Sequence, residues 1–274
     1  MTKAIKKGQA IAITSGKGGV GKTLTSVHLA AAAARRGDRT LIIDGDLGLA
    51  NVDVLLGVKT EHSIFEVITG NLRIEDVLIK GPMGITVMPA GSGIAALQNL
   101  DMELREKLIS GIRAVATRFD TVIIDTGAGI SETVLQLNRL ARINLVVTTP
   151  EPHAVTDAYA LIKVLSECED IPTIAVAVNQ ARSEEEGRRV FERLAEVASR
   201  FVTARLVFAG TIPVDPAVQR SVMARKAVQE NSHFSIAGQA WTQCFHRLLN
   251  LADDWRPETV KFANEFALVE GTQP

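Results

Sequence analysis

The chain has 274 residues, of which 46% are apolar and 22% charged, with a formal net charge of −1 at pH 7. That length accommodates one large α/β domain or two smaller ones, and the balance is that of a soluble globular chain with a sizeable core. The near-zero charge argues against bulk electrostatic attraction to nucleic acid or anionic membrane while leaving a local patch open, and apolar runs such as LAAAAA at 29–34 fall far short of the roughly 20 residues a membrane span needs.

In chain order, MTKAIKKGQ has lysines but no signal-peptide core, which points to a cytoplasmic protein. It leads into the first expected strand, AIAIT at 10–14, and GKGGVGKT (Gly16–Thr23) follows at once and opens an expected helix over 22–36. The stretch matches GxxxxGK[ST] in the setting that motif requires, after a strand and before a helix. Gly16, Gly18, Gly19 and Gly21 let the backbone around Val20 curl so that successive N–H groups point at phosphate oxygens, and the helix start adds its positive end. Lys22 is expected at the β and γ phosphates, and Thr23 at Mg²⁺ through its hydroxyl.

TLIID at 40–44 reads as the second strand. It ends in Asp44, with Asp46 two residues on, so two carboxylates stand beside the phosphate loop where they can organise Mg²⁺ or orient an attacking water. Asp46 taken alone could equally be a turn or helix-cap aspartate. ITVMP at 85–89 and a helix over 101–118 follow. TVIID at 121–125 then runs four apolar residues into Asp125 and a glycine-rich turn, the pattern of an aspartate that steadies Mg²⁺, often through water. A buried strand ending in an unpaired carboxylate would otherwise be expensive. The remaining expected strands are NLVVTT (144–149), TIAVAVN (173–179) and ARLVFAG (204–210), and the remaining helices cover 131–141, 154–167, 184–199, 217–228 and 233–252. Cys168 and Cys244 lie far apart without CxxC spacing, so they read as reduced, buried thiols rather than a disulfide framework or metal knuckle.

Strands that are continuously apolar and alternate with helices predict a single doubly wound, mainly parallel sheet of about seven or eight strands with helices on both faces. Ligands in such α/β sheets sit at the carboxyl ends of the strands. One domain over 1–255 is expected, with 256–274 as an appended tail.

At this point the sequence resembles a family. Lys17 in GKGGVGKT is the extra lysine of the deviant Walker A loop of MinD/ParA-type P-loop ATPases. DGDLGLANVDVLLG, DTGAGIS, EPHAVTDAYALIKVLS, NQARSEEEGRRVFERL and GTIPVDPAVQRSVMARKAVQE are similar to the FlhG/FleN flagellar number regulators of the MinD branch, from about residue 9 to 230. The resemblance implies a slow ATPase switch that binds ATP or ADP with Mg²⁺ and forms a homodimer when ATP-bound. In it Lys17 reaches across to the partner's phosphates and neutralises transition-state charge, as an arginine finger does. Asp46 aligns with the switch I aspartate that positions water, Asp125 with the switch II aspartate at the metal, and Asp44 stands behind them. Asn179, Pro213 and Asp215 match adenine-contacting positions, although an amide at a strand's carboxyl end can equally cap a loop.

The implied partners are a FleQ-like flagellar transcriptional activator and an FlhF-type GTPase, with a peripheral location at the inner membrane or cell pole. Three features depart from the family pattern. Leu24 stands where many relatives carry Thr or Asn, and is expected to tune affinity rather than abolish binding. His153 replaces a small or hydroxyl residue and reads as a surface loop residue. Only MTKAIKKGQ precedes the first strand, with no DQAxxLR activator helix, which puts FlhF activation through that segment in doubt. In the tail, Phe262, Phe266 and Val269 share one helical face, but Glu258, Glu265 and Glu270 outnumber Lys261. Reversible membrane contact, docking on the protein's own surface, and disorder all stay open.

Other readings compete. A MinD in cell division or a ParA in DNA partitioning shares the loop, but a ParA would need basic surface for DNA. A P-loop small-molecule ligase or kinase of the dethiobiotin synthetase type predicts an acceptor pocket with no signature here, and an Mrp-type iron–sulfur carrier would carry a CxxC. Against a module that binds nucleotide without hydrolysing it stand Lys17, Asp46 and Asp125 together.

Overall fold

The computed structural model describes residues 9–47, 51–91, 101–227 and 235–254, so the expected tail lies outside the described residues. Among the described residues, eight strands form one sheet: β1 (Gln9–Ser15), β2 (Thr40–Gly45), β3 (Ile79–Lys80), β4 (Thr86–Met88), β5 (Thr121–Ala128), β6 (Ile143–Thr148), β7 (Thr173–Ala181) and β8 (Arg205–Pro213). Their order is β3-β4-β2-β5-β1-β6-β7-β8, parallel throughout except for the short β3, which pairs antiparallel with β4. The long helices are α1 (Lys22–Arg36), α4 (Met102–Ala116), α5 (Glu132–Leu140), α6 (Pro152–Ser166), α7 (Glu184–Ala198), α8 (Pro216–Ala224) and α9 (Ile236–Asp254). Two five-residue helices, α2 (Val52–Leu56) and α3 (Ile64–Ile68), follow β2.

Period-two side-chain alternation sends neighbouring residues of each strand to opposite faces, and both faces are covered. On one side, Ile11 and Ile13 of β1 pack with Val27 and Ala30 of α1 and with Trp241, Phe245 and Leu248 of α9. On the other, Ala10 and Ala12 pack with Ile112 of α4 and Leu137 of α5. Further along that face, Val146 of β6 and Val176 of β7 pack on Leu161 of α6 and Leu194 of α7. This double cover is why the strands read as unbroken apolar runs.

Local chemistry fixes the helix ends. Ser183 Oγ accepts Glu186 N–H at 3.1 Å to start α7. Gly37, at φ 96°, closes α1 by donating its N–H to the carbonyls of that helix's last turn, beside Arg35 and Arg36. The helix over 217–228 stops sooner than expected, at Ala224, with Arg225 in the left-handed region at φ 52°. His153, expected in a loop, sits exposed in the first turn of α6. Both cysteines are free, Cys244 buried and Cys168 half-buried. Among the described residues, no helix is long and apolar enough to cross a membrane.

Candidate active site

β1 lies between β5 and β6, and the chain leaves it toward β2 on one side and later crosses to β6 on the other. Its carboxyl end is therefore the topological switch point, where a crevice opens above an α/β sheet. The loop Gly16–Gly21 fills that position. Gly19 and Gly21 adopt φ of 84° and 87°, which a residue with a Cβ rarely tolerates. A Cβ at Gly16 would run into the carbonyl of Asp157, so the loop's first glycine lets it sit directly on the backbone of α6. No side chain caps the start of α1, and its first-turn N–H groups keep their positive end toward the crevice.

The two lysines of the loop go to different places. Lys22 is buried, 8% exposed, with Nζ at 3.7 Å from Asp125 Oδ1. Lys17 is half-exposed and its Nζ lies 3.4 Å from Glu151 Oε2, at the start of α6. Ser26, one turn beyond Lys22 on α1, donates through Oγ to Asp125 Oδ1 at 2.9 Å. Asp125 is fully buried, and burial raises its pKa above the ordinary value, against the Lys22 charge and the hydroxyls of Thr23 and Ser26. Its Oδ2 is buried and has no hydrogen-bond partner among the described residues. An orphaned carboxylate oxygen beside a threonine hydroxyl and a buried ammonium suits an oxygen-loving divalent cation, so these residues fit Mg²⁺.

Asp44 stands in register with Asp125 on the neighbouring strand. Its Oδ1 accepts the Asp46 N–H at 3.1 Å, and its Oδ2 accepts those of Asn51 and Val52 at 3.0 and 3.1 Å. Asp44 thus holds both ends of the loop that carries Asp46, and fixes the start of α2. Burial first, and then the Asp125 charge, push its pKa up to about 7. Asp46 is half-buried, and its charge adds to the rise at Asp125.

Three residues matched to adenine positions take distinct places. Asn179, at the carboxyl end of β7, is 5% exposed and donates from Nδ2 to the Val20 carbonyl at 2.8 Å. Pro213 ends β8 and lines a cleft of about 160 Å³ with Thr211, Gln239 and Arg247. Asp215 caps α8 by accepting Ala217 N–H at 2.8 Å, and also accepts from Ser235 Oγ at 2.6 Å and Ala237 N–H at 3.2 Å, tying α8 to the start of α9. Leu24 packs against the core under α1, and its carbonyl lies 2.6 Å from His28 Nδ1. Its side chain is half-buried against that core, a packing that suits an apolar residue at this position.

Ser26 and Glu151 went unnoticed in the sequence. Ser26 had a signal, the i+4 spacing from Lys22 that puts both on one helical face. Glu151 had none, because only the sheet order brings the end of β6 beside the phosphate loop.

A glycine-rich loop at the switch point, opening an uncapped helix and backed by a buried lysine–aspartate pair, defines a P-loop nucleotide-binding protein of the α/β class. The family described as "AAA domain" matches residues 8–176. The chain is 40% identical to Antiactivator FleN of Pseudomonas aeruginosa over 247 residues, 90% of this chain and 87% of that protein. It is 34% identical to the Flagellum site-determining protein YlxH of Helicobacter pylori over 227 residues, 80% of this chain and 74% of that protein. The cell division ATPase MinD of Pyrococcus furiosus superposes with a TM-score of 0.76 at 26% identity, covering 89% of this chain and 99% of that one. The chain belongs to the MinD/ParA-type ATPases, in the branch that contains FleN, and it is an ATPase.

Proposed function

We propose that the protein is an ATP-dependent dimerising switch that regulates flagellar number or biosynthesis. The observation that carries this reading is the separation of the two lysines. Lys22 is buried beside Asp125, whereas Lys17 stands half-exposed and, among the described residues, is held by a surface pair with Glu151. Such a pair is worth about 1 kcal/mol or less, so Lys17 is free to change partner. In an ATP-bound homodimer it would reach the other subunit's phosphates.

Within one subunit, Gly16–Thr23 would cradle the phosphates through backbone N–H groups, with Lys22 at the β and γ oxygens. Thr23 and Asp125 would hold Mg²⁺, with Asp46 joining through water and Asp44 behind it. Bound Mg²⁺ supplies charge neutralisation at the β and γ oxygens. Asp46 would orient the attacking water, kept in place by the Asp44 carboxylate behind its loop. Asn179, Pro213 and Asp215 lie toward β7 and β8, the side on which the adenine would rest. Leu24, packed on the core, would affect affinity only through the loop's seating.

The YlxH relative's name supports a flagellar role and the FleN relative's name an antiactivator; a FleQ-like transcriptional activator and an FlhF-type GTPase would be the partners. Residues 1–255 would form the ATPase unit, and the 256–274 tail would bring the ATP-bound dimer into reversible contact with the inner membrane or cell pole. The test is size-exclusion chromatography of wild type and Asp46→Ala with ATP, ADP and no nucleotide. A dimer in ATP alone, made persistent by Asp46→Ala, is the expected result. Monomers in every state would overturn the switch.

A further inference from the structure

We infer that Asn179 sets the shape of the phosphate loop, as a positioning residue for phosphate binding, and is not confined to reading the base. This deepens the nucleotide-site reading above and rests on it.

Asn179 reaches the loop from an element distant in sequence. Its Nδ2 donates to the Val20 carbonyl at 2.8 Å, and the pair is buried, with Asn179 5% and Val20 4% exposed. The next residue, Gly21, has φ 87°, and a Cβ there would collide with the same Nδ2. The amide therefore both bonds the Val20–Gly21 peptide and packs against Gly21, where a side chain would meet the amide itself. In a trans peptide the carbonyl and the following N–H point in opposite directions. Fixing the Val20 carbonyl toward β7 turns the Gly21 N–H away from Asn179. Gly21 could otherwise reach negative φ at little cost and let that peptide turn over.

The loop is thus pinned at both ends by separate elements. Gly16 sits on the Asp157 carbonyl of α6, and Val20–Gly21 is held by Asn179 of β7. Between them, Ser15 Oγ donates to the Lys17 carbonyl at 2.9 Å. Without Asn179 the Val20 carbonyl would lose its side-chain donor in a buried setting, and the N–H groups on the phosphate side would lose their preset direction.

Inorganic tripolyphosphate with Mg²⁺ has no base and so isolates this role. Calorimetric titration of wild type, Asn179→Ala and Asn179→Ser with Mg-ATP and with Mg-tripolyphosphate tests it, with thermal unfolding as the check on folding. Asn179→Ala is expected to weaken tripolyphosphate by about tenfold, the effect of one buried hydrogen bond. Asn179→Ser, which keeps a shorter donor, is expected to show a smaller loss of the same sign, and it carries the test if the alanine variant does not fold. Turnover at saturating ATP should fall as well, which loss of base contacts alone would not produce. Tripolyphosphate binding unchanged in the variants, with ATP weakened, would overturn the inference, as would a wild type that binds ATP but not tripolyphosphate. A wild type that binds neither would instead remove the phosphate-loop reading beneath it.

Discussion

Asp44→Asn is the sharpest perturbation of the site, because its two energetic effects separate with pH. Asp44 is 3% exposed and its pKa is pushed up to about 7, by burial first and the Asp125 charge second, against three backbone N–H bonds. An unfolded aspartate titrates at 3.8. Between about pH 4 and 7 the native protein therefore keeps a proton that the unfolded chain has released. Native stability falls as pH rises through that window, and the loss levels off above about 7. The gap corresponds to about 4 kcal/mol. Asparagine cannot ionise, so the variant should gain up to about 4 kcal/mol on wild type between pH 4 and 8.

Against this stands a term independent of pH. The amide nitrogen cannot accept where an oxygen of the carboxyl group can in either protonation state, so the Asp46 N–H loses its acceptor, for about 1–3 kcal/mol. Burial lowers the pKa of His28 to about 4, which gives the opposite slope, stability lost as pH falls from about 6.5, but both proteins share it and it cancels in the difference. The assay is urea unfolding of the nucleotide-free protein in chelator across pH 5–8, followed by tryptophan fluorescence. The variant's stability relative to wild type should rise steadily from pH 5 to about pH 7 and be equal or higher at pH 8. A stability difference that stays constant across pH would refute the reasoning.

Lys17→Ala should leave stability within about 0.5 kcal/mol of wild type and keep much of the nucleotide affinity, while abolishing ATP-dependent dimerisation and hydrolysis. Unchanged turnover would sink the trans-lysine reading. Trp241→Ala removes a ring that is 1% exposed, stacked on His28 at 3.9 Å, and bonded through Nε1 to Thr25 Oγ1 at 3.2 Å. It should destabilise by about 3–5 kcal/mol in chemical unfolding. Opening that cover should also move His28 up toward its ordinary 6.5, measurable by NMR titration; a His28 that still titrates near 4 would show that the stack is not what buries it.

Most of this architecture can be read along the chain. The helix expected over 22–36 is α1, Lys22–Arg36, because the phosphate loop marks its start and Gly37 its end. The seven long apolar runs became strands with boundaries shifted by at most three residues, β8 running on to Pro213. What escaped was short. The two residues of β3 and the five each of α2 and α3 hold too few turns or alternations to show a period. α2 in addition owes its start to the Asp44 carboxylate, donated from a neighbouring strand rather than by a local cap. Asp215 illustrates the same limit. The resemblance implied an adenine contact for it, and the fold in addition employs it to join the starts of α8 and α9.

The sequence by itself determined the local chemistry: a glycine-rich loop that opens a helix, Lys22 and Thr23 at that helix start, and acidic residues at the ends of buried strands. These follow from neighbours in the chain, where backbone freedom and side-chain type act within a few residues. Only the tertiary structure decided which carboxylate does what. Asp125 lies against Lys22 and Ser26 with its Oδ2 unpartnered among the described residues, whereas Asp44 spends both oxygens on backbone N–H groups. It also decided that Lys17 rests on Glu151 and that Asn179 grips Val20 across 159 positions of sequence. Those contacts arise from the order in which parallel strands insert beside β1, and strand order is set by packing of the whole sheet, which no local pattern encodes.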